Sequence, residues 1–317
     1  MNLFEQREEI LPYEYPHLLK YKDAIRHSYW LHSEFNMTED ISEYKTVLTE
    51  SERAVIKKTM LAIAQVEVSV KAFWGDLYRR MPKYEIQSIG ATFSESEARH
   101  FDAYQFLLEK LGMQSEFSKV KEIPELHNRV KYLKKYLDGT RSRDNRVFTK
   151  SLVLFSLFIE HVSLFSQFLI IMSFNKERNR LNGMCNVVEA TSKEEDVHGN
   201  FGVELVNIIR RENPEWFDEE FNNMIYSACK KSFKAEGEVI DWIFSEGELD
   251  FLPPNVVKEY IKKRFNSSLV SVGLEPIFEI DHQLIEKTLW MDVELKSKKE
   301  RDFFFKKQID YSKKTKS

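Results

Sequence analysis

Residues 151–174 read SLVLFSLFIEHVSLFSQFLIIMSF, an apolar run with Glu160, His161 and Gln167 near its centre. It is long enough to cross a bilayer, which takes about 20 predominantly apolar residues. A charge near the bilayer centre costs about 2.5–3.5 kcal/mol even on a lenient insertion scale. The run is therefore read as a helix apolar on all sides and enclosed by other helices, not as a membrane span. That solution carries a demand of its own. A buried glutamate has to be paired or bound to a cation, so the segment points both to a helical bundle and to something charged at its middle.

The rest of the chain supplies the surrounding helices. Thr49 and Glu52 have the spacing of a capping box, opening a helix that can run to about Met81, where Pro82 stops it. A second runs from about Tyr84 to Leu111 and ends at Gly112. A shorter one follows Pro124 and ends near Gly139, the apolar helix spans about 146–174, and a fourth long helix runs from about Met184 to Arg211. More are expected at about 218–245, 254–272 and 281–300. Four of these would be about 28–32 residues long, or on the order of 45 Å at 1.5 Å per residue. Such lengths suit a long antiparallel bundle with a site at mid-length. With 10 Gly and 8 Pro in 317 residues, the chain has too few turn residues for a sandwich or barrel. No G-x-G-x-x-G or G-x-x-x-x-G-K-[ST] occurs, which argues against a Rossmann or P-loop unit. No linker divides the chain, so residues 1–317 read as one all-α domain. It has an N-terminal segment to about 45, four long helices over about 46–212, further helices over about 213–300 and a flexible tail over about 301–317.

Chemistry is concentrated in the four long helices. The second carries Glu97-Ala-Arg-His100 and the fourth Glu195-Asp-Val-His198; the first carries Glu67 and the third Glu160, both among apolar neighbours. Residues three apart share a helix face, so each pair presents a carboxylate and an imidazole together. Four glutamates meeting in one apolar core would repel strongly, and two divalent cations with bridging carboxylates remove the repulsion. One histidine per metal completes a hard O/N environment suited to Fe or Mn. Glu, Glu-x-x-His, Glu, Glu-x-x-His is the ligand order of ferritin-like dimetal bundles.

Composition excludes other classes. With 47 basic and 51 acidic residues the formal net charge is −4, so nothing points to nucleic acid as a partner. Two cysteines, Cys185 and Cys229, can build neither a disulfide framework nor a cysteine zinc site. The start, Met-Asn-Leu-Phe-Glu-Gln-Arg, carries no secretory signal pattern, which leads to a cytoplasmic expectation.

From about Trp30 to Tyr311 the chain resembles the small, radical-generating subunit of class I ribonucleotide reductase. The resemblance implies metal ligands at Glu67, Glu97, His100, Glu160, Glu195 and His198. It implies a radical-tyrosine position at Tyr104, four residues after His100, and a radical-transfer path drawn from Trp30, Glu194 and Tyr311. The family mostly has aspartate where this chain has Glu67, and aspartate where it has Glu194. It also implies a homodimer that works with a large subunit in reducing ribonucleoside diphosphates, and a C-terminal docking tail of which the closing YSKKTKS shows no sign. The stretches EVSVKAFWGDLY and TFSESEARHFDAY are most similar to the dimanganese group, class Id. That likeness implies a manganese pair, mixed-valent when active and without a stable tyrosyl radical; a di-iron or Mn/Fe pair is the alternative. Lys71, one turn after Glu67, either guides superoxide rather than dioxygen to the metals or reaches to the surface. Tyr104 is either a radical store or a buried, hydrogen-bonded tyrosine. His161 is read as a packed histidine, Asp196 as a solvent-side neighbour, and Glu194 as a carboxylate that orients His100 or His198. A different ferritin-like dimetal oxidase, acting on a small molecule or lipid, would share the six ligands. A metal-storage or purely structural helical bundle is a further reading.

Overall fold

The computed structural model describes residues 2–70 and 72–295. Its helices are α1 (Leu19–His27), α2 (Thr38–Thr46), α3 (Glu50–Val70), α4 (Phe73–Arg80), α5 (Tyr84–Lys110), α6 (Gln114–Ser118) and α7 (Pro124–Leu137). Then come α8 (Asn145–Leu154), a π-helical segment (Phe155–Ser163), α9 (Phe165–Arg178), α10 (Asn182–Glu212), α11 (Glu219–Ile243), α12 (Pro254–Ser271) and α13 (His282–Glu286). Among the described residues no strand forms beyond an isolated bridge between Leu249 and Leu252.

Local chemistry sets the ends of these helices. At the start of α3 the Glu52 amide donates to Thr49 Oγ1 at 3.2 Å and the Thr49 amide to Glu52 Oε2 at 2.8 Å, a reciprocal cap. The helix expected from 49 to 81 is two helices, α3 and α4, separated by a turn at Ala72. The break follows Val66-Glu-Val-Ser-Val70, where β-branched residues with stiff side chains lower helix propensity. Asp40 of α2 caps α10 from a distant part of the chain, accepting from the Gly183 and Met184 amides at 3.1 and 2.7 Å. The helix expected over 281–300 stops at Glu286, and helix resumes over 289–295.

Residues 145–178 form the one helix among the described residues long and apolar enough to cross a membrane, and its most apolar window is wholly buried inside the protein. The middle of that helix is where the sequence expectation fails. Nine residues adopt π-helical turns, and Glu160 lies among them. Such turns are rare and concentrate at functional sites. Two glycines of α10 let this segment approach closely. A Cβ at Gly199 would overlap the His161 ring, and one at Gly202 would overlap the Ser156 hydroxyl. Ser163 Oγ donates to the Phe158 carbonyl at 3.0 Å, five residues back, the spacing of a π turn. The Tyr132 hydroxyl of α7 lies 2.8 Å from Ser163 Oγ and donates to Glu236 of α11. Arg129, fully buried, pairs with Glu236 at 3.5 Å and donates to the Ala62 carbonyl of α3. A buried polar network therefore ties the π segment to the helix that carries Glu67.

Candidate metal centre

All six sequence-predicted residues converge in the interior. Glu67 comes from α3, Glu97 and His100 from α5, Glu160 from the π segment, and Glu195 and His198 from α10, and all are buried. They form two overlapping groups. Glu67, Glu97, His100 and Glu195 are one; Glu97, Glu160, Glu195 and His198 are the other. Within each, the potential ligand atoms lie within 4.8 Å of one another. Glu97 and Glu195 belong to both, so they are placed to bridge.

The donor atoms behave as a cation site should. Both imidazoles turn Nδ1 inward: His100 Nδ1 lies 2.9 Å from Glu195, and His198 Nδ1 lies 3.1 Å from Glu97 and 3.3 Å from Glu195. Yet both Nδ1 atoms, both Glu67 oxygens and Glu97 Oε1 have no hydrogen-bond partner, although buried. Orphaned buried polar atoms are costly, and five in one cluster of hard donors fit two divalent ions. Burial also pushes the Glu67, Glu97 and Glu160 carboxyls above the usual range, with Glu195 adding to the rise in each. Burial opposes ionisation of Glu195 as well, but contacts with His100 and His198 hold it well below that range. Both imidazoles are disfavoured as cations by burial yet pushed well above 6.5, His100 by Glu194 and Glu195 and His198 by Glu160 and Glu195.

Other side chains orient the six. His100 Nε2 contacts Glu194 Oε2 at 2.8 Å, and His198 Nε2 contacts Ser96 Oγ at 2.9 Å. With each outer nitrogen so engaged, Nδ1 is left as the donor toward the cluster. The Trp74 indole donates to Glu160 Oε1 at 3.1 Å. Phe93 and Trp74 wall the His198 ring, at centroid distances of 4.2 and 5.6 Å. Sequence reasoning missed Ser96, Trp74 and Arg99. Ser96 and Arg99 stand inside the recognised motif beside Glu97 and His100, but nothing in their spacing says which way they turn.

The remaining candidates fall at different distances from the cluster. Trp30 is buried and its indole stacks on His100, centroids 6.0 Å apart and planes 16° apart. Its Nε1 has no hydrogen-bond partner, so Trp30 and Glu194 are not joined through the indole nitrogen. Tyr104 is buried with its hydroxyl lacking a partner; burial first, and Glu67 next, push its pKa well above 10. A cavity of about 220 Å³ reaches Glu67 and Tyr104 between Ala64, Phe101, Leu108 and Phe117. His161 belongs to neither group and contacts Ser268 at 3.4 Å, and Asp196 accepts from Asn200 at 2.6 Å. Lys71 and Tyr311 lie outside the described residues.

A family model described as "Ribonucleotide reductase, small chain" matches residues 7–284. The "Probable ribonucleoside-diphosphate reductase small subunit 048L" of Invertebrate iridescent virus 3 is 25% identical over 330 aligned residues, covering 99% of this chain and 86% of its own length. The ribonucleoside-diphosphate reductase subunit beta of Chlamydia pneumoniae is 24% identical, covering 92% of this chain and 88% of its own. Among solved structures, the ribonucleotide reductase R2 subunit from Clostridium botulinum superposes with a TM-score of 0.78 at 17% identity. That match covers 93% of this chain and 94% of the other.

Proposed function

The chain belongs to the ribonucleotide reductase small-chain family, and on that premise we propose how it initiates the radical chemistry by which a large subunit reduces ribonucleoside diphosphates to deoxyribonucleotides. The carrying observation is the pair of buried four-residue groups that share Glu97 and Glu195. Glu67 and His100 would complete the shell of one ion, Glu160 and His198 that of the other. Once bound, the two redox-active ions supply the one-electron oxidising equivalent. The protein's own part is to hold geometry and keep water out. Trp74 fixes Glu160, Glu194 and Ser96 fix the two imidazoles, and Phe93 and Trp74 dry the His198 side. Trp30, stacked on His100, is the inner end of the route outward, with Glu194 beside it. Tyr311 is assigned its outer end.

Manganese is the proposed resident metal. The hard O/N donor set takes manganese or iron, and Glu67 in place of the family's usual aspartate supports the dimanganese group. Tyr104 is proposed as a bystander. The likeness to the dimanganese group, which implies no stable tyrosyl radical, supports this, and burial with Glu67 nearby holds the phenolic proton on Tyr104. The cavity ending on Glu67 is the proposed entry for the small oxidant, dioxygen or, with Lys71 as guide, superoxide. The working form is proposed to be a cytoplasmic homodimer.

The test loads the chain with manganese or iron and assays ribonucleoside diphosphate reduction with a large subunit. Activity that requires bound metal, together with an EPR spectrum of a coupled pair, is the expected result. Full turnover by metal-free chain would overturn the reading. A coupled signal in iron-loaded protein alone would overturn the manganese assignment.

A further inference from the structure

Behind His100 and Glu194 stands Arg99, a side chain that is neither a candidate ligand nor part of the expected route. Glu194 gives one oxygen to His100 Nε2 at 2.8 Å, and its other oxygen accepts from Arg99 Nη2 at 3.2 Å. Arg99 is only 5% exposed. Its Nη1 donates to the Trp30 carbonyl at 3.3 Å, and its Nε meets the two Glu95 oxygens at 3.0 and 3.2 Å. Its guanidinium carbon lies 4.6 Å from the Tyr29 ring centroid and 5.6 Å from that of Trp30. A guanidinium held from this many directions has one place to be. Behind His198, by contrast, the corresponding partner is the neutral Ser96 hydroxyl.

We propose that Arg99 is the positioning residue of the His100 half of the centre. It occupies the Glu194 oxygen that the Trp30 indole leaves free, holds that carboxylate on His100 Nε2, and so keeps Nδ1 aimed at Glu195 and Glu97. A planar fork suits this task because it spans a carboxylate and a carbonyl at once, which a lysine ammonium cannot do with the same geometry. The inference rests on the metal-centre reading above.

The experiment is a double-mutant cycle on manganese(II) affinity of the metal-free full chain, read by calorimetry. Arg99→Met should weaken binding about 10- to 100-fold, the usual effect of losing an outer-shell partner. In a chain already carrying His100→Ala, the same substitution should change affinity less than about twofold, because the residue it acts through is gone. Arg99→Lys should recover part of the loss. Glu95→Gln, a gentle variant on the half-exposed side, should weaken binding about threefold, in line with loss of about 0.6 kcal/mol. An equal loss in both backgrounds, or no loss in either, overturns the proposal. If the unsubstituted chain takes up no manganese, the metal-centre reading itself fails, which is a separate result.

Discussion

The two halves of the centre are built from the same short motif and differ behind it. His100 stacks on Trp30 and is backed by a carboxylate, which is itself gripped by a buried arginine. His198 is backed by a hydroxyl and walled by Phe93 and Trp74. The cavity reaches Glu67, on the His100 side. Repeating Glu-x-x-His on two helices thus duplicates donor atoms without duplicating their surroundings. One half is backed by an ion pair and reached by a cavity; the other is backed by a neutral hydroxyl and walled by aromatic rings. The lesson is that ligand identity follows the motif, whereas the electronic environment of each ion follows residues between and behind the motif positions.

The largest effects should ignore the difference between halves. Glu195→Ala removes a carboxylate common to both groups, and manganese content should fall from two ions per chain to none, measured by metal analysis after desalting. Next come substitutions that touch one half. Glu67→Ala and Glu160→Ala should each leave one ion per chain, and loss of both ions from either would mean the halves do not fold their ligands independently.

A smaller effect separates the backing groups. Glu194→Ala should weaken manganese binding about 10- to 100-fold. Ser96→Ala should weaken it only about fivefold, the equivalent of about 1 kcal/mol for one neutral hydrogen bond. Equal effects would erase the asymmetry.

Acidity gives a further check. Glu67, Glu97, Glu160 and both imidazoles keep protons to higher pH than usual in the metal-free fold, while Glu195 alone goes the other way. At the raised groups the native state binds more protons than the unfolded chain, so their contribution to metal-free stability falls as pH rises. Metal displaces those protons. The melting-temperature gap between loaded and metal-free protein should therefore widen as pH climbs above the ordinary carboxylate range. The smallest effect should be that of Tyr104→Phe. It deletes a buried hydroxyl without a hydrogen-bond partner, so stability should change by no more than about 1 kcal/mol. Turnover with the large subunit should stay within about twofold, since the hydroxyl is proposed as a bystander. Loss of turnover would return Tyr104 to the radical path.

Much of this was readable before any coordinates. The apolar run around Glu160, the capping box at Thr49 and the two Glu-x-x-His pairs are local patterns with local causes, and each lies where periodicity places it. What stayed hidden depends on direction rather than spacing. Ser96 and Arg99 flank Glu97 on one helix yet serve different imidazoles, a distinction set by the tertiary packing of α5 against its neighbours. The division between α3 and α4 was masked because both halves carry helical periodicity. The π turns of 155–163 were invisible for a related reason: with only Ser156, Glu160, His161 and Ser163 polar among nine residues, the pattern is too short to tell a wider turn from 3.6 residues per turn.

That wider turn has a consequence for how such a chain can change over generations. Relative to an ordinary helix joining α8 to α9, it carries about one surplus residue. Deleting a residue there would let the two flanking helices fuse, give every amide a standard partner and improve the helix as a helix. It would also turn the side chains inside the segment to new directions while α8 and α9 keep their places, and Glu160 would lose its approach to His198. Random indels at this spot therefore meet opposing filters, one for a smoother backbone and one for the centre. A lineage that loses the surplus residue should be found to have abandoned the chemistry, even if all six candidate ligands remain in its sequence.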